Sequence, residues 1–196
     1  INEPSFIVAF KNSLFIGLGT GLLGLTVSLT AAYALARFKF KGNKFLTFLI
    51  LTTQMFPAMI LLIPQYLIWI NLGLLANTEV FFGFDVVHFG LLLASAGGAT
   101  AYCTWMMKGY FESIPKDIEE AALIDGAGRF STFIKIAIPL AKSGIVAVLV
   151  FTFLTAWQEF VLARTFIESN KVTLPLLFLN YQRLDQANAP TFFELL

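Results

Sequence analysis

The sequence predicts an all-α, polytopic helical membrane bundle, on the strength of its composition and its long apolar runs. Of its 196 residues, 58% are hydrophobic and only 13% are charged, whereas soluble domains carry about 25% charged residues. Several apolar runs are long enough to cross a hydrocarbon core of ~30 Å as helix. Only helices or closed barrels satisfy the backbone in lipid, and runs without alternation are not typical of barrel strands. We therefore expect one helical domain over residues 1–196.

The predicted spans differ in their polar content. The first contains no charged residue and is rich in glycine, which favours close helix packing. The second is also uncharged but contains Pro57 and Pro64, the third holds one histidine, and the fourth holds Lys142 and Glu159. A fifth begins near Ala187, so we expect a fragment of a longer protein. In order, the four predicted spans are residues 12–36, 45–70, 86–107 and 140–163.

The distribution of lysine and arginine predicts the orientation. Residues 37–44, "RFKFKGNK", contain four positive charges, and residues 108–139 contain another four, whereas residues 71–85 contain none. Because cytoplasmic loops of membrane proteins are enriched in Lys and Arg, we expect the two basic segments in the cytoplasm and residues 71–85 outside. The segment 164–185 then falls outside as well, although it carries three positive charges.

The cytoplasmic loop 108–139 predicts two short helices joined at a glycine bend. Pro115 suits the start of the first helix, and acidic residues in its first turn face the positive end of the helix dipole. Gly126 permits a sharp turn, and Ser131 is a candidate cap for the second helix. With alanines on its surface, the first helix could enter a cleft of another protein; an ordinary solvated loop helix is the alternative. The acidic residues are Asp117, Glu119 and Glu120.

A few residues within the spans are candidates for a translocation path. Pro57 breaks the helical hydrogen-bond ladder, and Gln54 lies beside it. Near the outer end of the fourth span, Trp157, Gln158 and Glu159 combine an aromatic ring with polar groups, a combination suited to sugars. The alternative is structural, because proline is frequent in membrane helices and Trp is enriched at membrane interfaces, where an acid also costs less than at the centre.

The small numbers of cysteine and histidine residues argue against a catalytic or metal site on this chain. It contains one cysteine and one histidine, too few for a disulfide framework or a metal cluster. No G-x-x-x-x-G-K-[ST] phosphate loop occurs. We therefore expect no catalytic residue, no metal and no cofactor, and interpret Cys103 as a small buried apolar residue.

One motif in the cytoplasmic loop is similar to a known pattern. "EAA" at residues 120–122 is followed after three residues by Gly126, and after nine more by "IAIP". This resembles the EAA loop of ABC importer permeases, with Ile138 at the usual leucine. Four further stretches resemble carbohydrate-uptake permeases, most closely the smaller membrane subunit of maltose and maltodextrin importers, although Gln158 replaces the usual asparagine of W-N-E-F. They are "NSL…AAYALARFKFKG", "TQMFPAMILLIPQY", "GYFESIPKDIEEAALIDGA" and "FLTAWQEFVLA".

The resemblance implies a type I ABC importer permease-like fold whose EAA loop contains a coupling helix. In that family the helix seats in a groove of the ATP-binding subunit. Carried over, Glu120 would pair with a basic residue there, Ala121 and Ala122 would pack closely, and Gly126 would form the turn. Asp125, which is typical before this glycine, would belong to the same coupling segment. Such subunits have six spans, so this chain would lack the first and most of the last.

The implied function is a permease subunit of an ATP-driven importer for oligosaccharides, of maltose type. Its partners would be a second permease subunit, a dimer of ATP-binding subunits, an extracytoplasmic sugar-binding protein and the sugar. The protein would lie in the cytoplasmic (inner) membrane of a bacterium or archaeon and would cross it several times. A different sugar or a polyol stays open as cargo. A secondary transporter or channel would show paired intramembrane charges or inverted repeats, and a membrane enzyme would show clustered His, Asp or Cys.

Overall fold

The computed structural model describes residues 3–76, 79–81, 84–167 and 172–188. The predicted helical class is confirmed: a two-residue and a three-residue strand form one antiparallel hairpin, and the other described elements are helices. A π-helical turn at Phe133–Ala137 joins α6 to α7. The elements are α1 (Glu3–Arg37), α2 (Asn43–Thr53), α3 (Ala58–Asn71), β1 (Glu79–Phe81), β2 (Phe84–Asp85), α4 (Val86–Ser113), α5 (Lys116–Ile124), α6 (Arg129–Thr132), α7 (Ile138–Leu140), α8 (Lys142–Trp157), α9 (Val161–Phe166) and α10 (Leu174–Asn188).

Helices α1 and α4 run parallel along the centre of the bundle. The Thr20 hydroxyl donates to the Leu92 carbonyl at 3.4 Å, and eight residues later in both helices the Ser28 hydroxyl donates to the Thr100 carbonyl at 3.2 Å. Helices α2 and α3 carry the chain from the end of α1 back towards the start of α4. The carboxyl ends of α1 and α4 therefore lie at the same end of the bundle.

Helix α8 packs antiparallel to α1, at glycine positions of α1. Gly17 faces the Phe153 ring, and Gly21 faces the side chain of Leu149. Because glycine has no Cβ, the two helices approach closely, as membrane helices with small residues at their contacts do. Lipid offers no strong hydrophobic driving force between helices, so this close packing contributes much of their association.

Within the described residues, α1 from Phe6 and α4 are each long and apolar enough to cross a membrane. The helices Arg129–Leu140 and Lys142–Trp157 add a third candidate if this pair, bent by 76°, is one span. The predicted span 45–70 falls on α2 and α3, which are separated by a break at residues 54–57. The span predicted near Ala187 lies mostly outside the described residues. The span limits stay predictions.

The outer surface of α2 and α3 is strongly apolar. No residue of α2 is buried, and five large apolar residues of α2 and α3 are each 65% to 67% exposed. An apolar surface of this extent is typical of contact with lipid or with another subunit. The side chains in this range are Phe45, Phe48, Ile60, Met59 and Ile63.

The start of the second loop helix differs from the prediction. Gly128, and not Ser131, is the N-cap of α6, with an extended backbone at φ −71° and ψ 155°. Its carbonyl accepts the Thr132 N–H at 2.9 Å. The helix begins earlier because the chain leaves the turn at Gly126 already in position to close a first helical hydrogen bond, which places Ser131 inside α6.

Candidate functional site

The loop helix α5 ends in a turn that requires glycine. Gly126 has φ +86°, a conformation that costs other L-residues roughly 1–2 kcal/mol. The Ala127 N–H donates to the Ala122 carbonyl at 2.9 Å, and the Gly126 N–H donates to the Leu123 carbonyl at 3.2 Å. These two bonds form a Schellman motif, which satisfies carbonyls at the helix end. The chain therefore turns at Gly126, between α5 and α6.

The residues predicted to contact a partner are accessible on this helix and turn. Glu120, Ala121, Asp125 and Gly126 are exposed, and Ala122 is partly buried. The Glu120 carboxylate is thus available to a cation on another protein, in which case a bidentate contact with arginine is the strongest pairing. The small side chains beside it allow a partner's surface to approach the helix backbone.

The neighbouring acid, Glu119, has a different environment, which the sequence analysis missed. It is 6% exposed. Its Oε1 accepts from Arg37 Nε at 2.8 Å and lies 2.7 Å from Arg37 Nη2 in an ion pair. The Tyr33 hydroxyl donates to its Oε2 at 2.9 Å. Both carboxylate oxygens of Glu119 are therefore bound by residues of α1. Adjacent residues point about 100° apart on a helix, so the two acids face different sides of α5. The basic stretch that begins at Arg37, the last residue of α1, was the sequence signal for a partner.

Arg37 also holds the carboxyl end of α4. Its Nη2 donates to the Ile114 carbonyl at 3.1 Å, where the chain turns from α4 towards α5. A cation near unsatisfied carbonyls of a helix end is stabilising. The remaining nitrogen, Nη1, is buried and has no acceptor among the described residues.

Three aromatic rings pack around Tyr33, the residue that donates to Glu119. Tyr33 lies 4.6 Å from the Phe133 ring and 5.5 Å from the Phe111 ring, centroid to centroid. Phe38 lies edge-on to Tyr33 at 6.2 Å and also faces the Arg129 guanidinium at 5.5 Å. Phe111 and Phe133 are buried, so the cluster anchors the π-helical turn of the loop against α1 and α4.

A second feature is a cavity of about 800 Å³ between α3, α4 and the α8–α9 segment. It contains two of the predicted path residues, Gln54 and Glu159. The Gln54 amide donates to the Gly98 carbonyl at 3.5 Å, and Glu159 Oε1 accepts the Leu162 N–H at 3.0 Å. The other polar and aromatic residues of the lining are Thr53, Gln65, Trp69, Ser95, Tyr102, Phe151 and Thr155.

The other predicted path residues are not among the described residues that line this cavity. Pro57 precedes α3 as its N-cap. Trp157 packs edge-on against Phe10, with ring centroids 5.8 Å apart, and Gln158 is the exposed C-cap of α8. Sequence reasoning missed Trp69 and Ser95, whose buried Nε1 and Oγ have no partner within the part of the chain that the structure describes.

Comparison with known proteins decides the family. The family described as "Binding-protein-dependent transport system inner membrane component" matches residues 24–196. The chain belongs to this family. The resemblance to ABC importer permeases inferred from the sequence is confirmed.

Two relatives show how far the likeness extends. The chain is 32% identical over 172 residues to the inner membrane ABC transporter permease protein YcjP of Escherichia coli strain K12, covering 87% of this chain and 58% of the relative. It is 36% identical over 161 residues to the maltose/maltodextrin transport system permease protein MalG of Vibrio parahaemolyticus, covering 81% and 53%. The chain thus spans a little over half the length of these permeases.

A solved structure extends the comparison to the fold. The chain superposes with a TM-score of 0.76 on a chain from the crystal structure of a bacterial ABC transporter involved in the import of the acidic polysaccharide alginate. The two are 26% identical, and the match covers 96% of this chain and 62% of the other. The ABC importer permease fold predicted from the sequence is therefore confirmed.

Among the described residues, no group of three or more His, Cys, Asp or Glu side chains is arranged to hold a metal ion. Cys103 is buried in the bundle. The two candidate sites that the structure brings together are the loop around α5 and the cavity beside α4.

Proposed function

We propose that this chain is part of a membrane-spanning permease subunit of an ATP-driven ABC importer for a saccharide. The observation that carries the proposal is the exposed α5, with its EAA residues accessible and its end fixed by a glycine turn. It projects at the end of the bundle shared by α1 and α4. Family membership and the permease relatives support it.

Helix α5 would be the coupling helix, docked in a groove of an ATP-binding subunit. Glu120 would pair with a basic residue of that subunit, because a charge-assisted hydrogen bond gives both strength and direction. Ala121 and Ala122 would permit close packing, and Asp125 with Gly126 would form the turn that ends the helix.

ATP would be hydrolysed on the separate subunits and not on this chain, which has no phosphate loop. Closure of those subunits would move α5, and the bundle would alternate between inward-open and outward-open states. The assembly would contain a second permease, two ATP-binding subunits and an extracytoplasmic sugar-binding protein. It would lie in the inner membrane of a bacterium or archaeon, with several passes through the bilayer.

The cavity supports a sugar as cargo. Trp69 and Tyr102 offer rings for the apolar face of a pyranose, while Gln54 and Glu159 offer hydroxyl partners. Binding sites for small molecules combine apolar walls with a few polar groups in this way. Pro57, Trp157 and Gln158 would act at the ends of the path, through the break before α3 and the carboxyl end of α8.

The cargo is proposed to be a maltodextrin-type oligosaccharide, on the likeness to a maltose/maltodextrin permease. A different sugar or a polyol is the second candidate, because the structural relative belongs to an alginate importer. Both share the chemistry of a hydroxyl-rich, unphosphorylated ligand.

The test is charge reversal at Glu120 in the full-length protein, reconstituted in proteoliposomes with its partner subunits and the binding protein. Glu120→Lys should lower uptake of labelled maltodextrin and binding-protein-stimulated ATPase activity at least tenfold, because the lysine would face a basic partner. Asp117→Lys is the matched control: it reverses an exposed charge on the same helix and should leave both rates within about twofold.

Unchanged uptake and ATPase activity in Glu120→Lys would contradict the coupling role. Uptake that proceeds without ATP and follows an imposed ion gradient would instead identify a secondary transporter.

A further inference from the structure

Helix α5 is held to the rest of the protein by one buried side chain. Of its nine residues, Glu119 is the only buried one. The apolar residues of the helix do not anchor it, since Ile118 is 43% exposed and Ile124 is 86% exposed. A displacement of α5 can therefore reach the bundle through the contacts of Glu119, or through the backbone at the two ends of the helix.

The contacts of Glu119 lead to α1, which is more than eighty residues away in sequence. Arg37 Nε donates to one carboxylate oxygen at 2.8 Å, and Arg37 Nη2 forms an ion pair with the same oxygen at 2.7 Å. Tyr33 donates to the other oxygen at 2.9 Å. With donors on both oxygens, the carboxylate is fixed in orientation as well as in position, because the planar guanidinium fork is directional.

The same guanidinium also reaches the carboxyl end of α4, through the Ile114 carbonyl at 3.1 Å. One side chain thus joins three elements: the end of α1, the end of α4 and the middle of α5. The side chains of Arg37 and Glu119 are only 7% and 8% exposed. A buried pair of this kind resists separation, because parting the charges leaves both without water.

We propose that Arg37, Glu119 and Tyr33 form a rigid link that carries movement of α5 into α1. Here Glu119 and Arg37 are positioning residues: Glu120 meets the partner, and Glu119, on another side of the same helix, transmits the displacement. This inference rests on the proposed function, since it requires α5 to be moved by an ATP-binding subunit. The competing route runs through the chain at Gly126 and the Phe133 ring cluster.

The experiment uses the full importer in proteoliposomes and measures two quantities, ATP turnover and sugar uptake, so that their ratio is known. Glu119→Gln removes the charge at nearly constant shape, and Tyr33→Phe removes one hydrogen bond while keeping the ring cluster. Both leave the exposed Glu120 surface intact. The link predicts assembly and ATP turnover within about twofold of the parent, with sugar transported per ATP lowered about tenfold in Glu119→Gln and about threefold in Tyr33→Phe.

A charge exchange adds a rescue test. Arg37→Glu alone and Glu119→Arg alone should each lower the ratio, and the double exchange should restore at least part of it. If Glu119→Gln assembles and transports the normal amount of sugar per ATP, the link is overturned. The link is also overturned if Glu119→Gln fails to assemble and Tyr33→Phe transports the normal amount of sugar per ATP. Failure of Glu119→Gln to assemble with a lowered ratio in Tyr33→Phe supports it.

The outcome is separable from the proposed function. If Glu120→Lys abolishes stimulated ATPase activity while Glu119→Gln keeps a normal ratio, the docking role stands and only the link is overturned. If Glu120→Lys has no effect on either rate, the proposed function fails first.

Discussion

At the residue scale, Gly126 is the position in the loop where backbone conformation alone excludes other side chains. Its φ of +86° is in the left-handed region, and an added Cβ would meet nothing within 4 Å. Substitution therefore costs conformational strain and not a clash, roughly 1–2 kcal/mol. Gly126→Ser should speed hydrogen exchange of the turn amides about tenfold, because local opening becomes easier by that free energy.

The matched control for this change lies two residues away. Gly128 also has open space around its added Cβ, but its backbone at φ −71° is allowed for any residue, and serine is a preferred N-cap. Gly128→Ser should leave amide exchange of the turn within about twofold. Equal acceleration in the two variants would show that the left-handed turn is not what holds the end of α5.

The two adjacent acids of α5 mark the limit of sequence-based prediction at this scale. The pattern around residues 120–126 predicts an accessible helix ended by glycine, and both features are present. Helical spacing alone does not reveal which side faces the bundle, because α5 is nearly free of buried apolar residues. Only the fold, which sets Arg37 beside Ile114, distinguishes the buried Glu119 from the exposed Glu120.

At the scale of elements, the contact between α4 and α8 depends on a missing side chain. Gly144 lies at the start of α8 against the Tyr110 ring of α4, where an added Cβ would overlap the base of the ring. Such overpacking costs about 1–3 kcal/mol. Gly144→Ala should therefore lower the melting temperature of the purified full-length protein in detergent, measured by retention of the monodisperse peak after heating.

The opposite effect is expected at Gly109, the residue immediately before Tyr110. Gly109 lies on an exposed part of α4, and an added Cβ would meet nothing within 4 Å. Alanine is more favourable than glycine in a helix interior by roughly 0.5–1 kcal/mol, so Gly109→Ala should keep or raise the melting temperature. A lower value in both variants would assign the effect to the loss of glycine in general and not to the α4–α8 contact.

The long apolar runs without alternation predicted the helical class, but not how the helices divide. The run 45–70 is uninterrupted in composition, yet the helix breaks at residues 54–57 and continues through Pro64 inside α3. Each proline removes one helical hydrogen bond, and tertiary contacts decide whether the helix breaks at that position. The same holds for α6, whose start follows from the turn at Gly126 and not from the local capping residue.

At the scale of the whole molecule, the coupling mechanism requires that the end of the bundle with α5 faces the cytoplasm. Parallel packing of α1 and α4 brings their carboxyl ends together with the basic residues 37–44 and α5. The opposite end carries the hairpin, where the Val87 N–H donates to the Ala76 carbonyl at 3.1 Å. The concentration of lysine and arginine at one end predicts that this end is cytoplasmic.

Cysteine labelling tests this orientation directly, because the native Cys103 is fully buried and is shielded from a maleimide. Asp117→Cys places an exposed thiol on α5, and Asn71→Cys places one at the end of α3. In spheroplasts, a membrane-impermeant maleimide should label Asn71→Cys at once, and Asp117→Cys only after the membrane is permeabilised. The reverse pattern would put α5 outside, beyond the reach of any ATP-binding subunit, and would refute the coupling mechanism together with the link that depends on it.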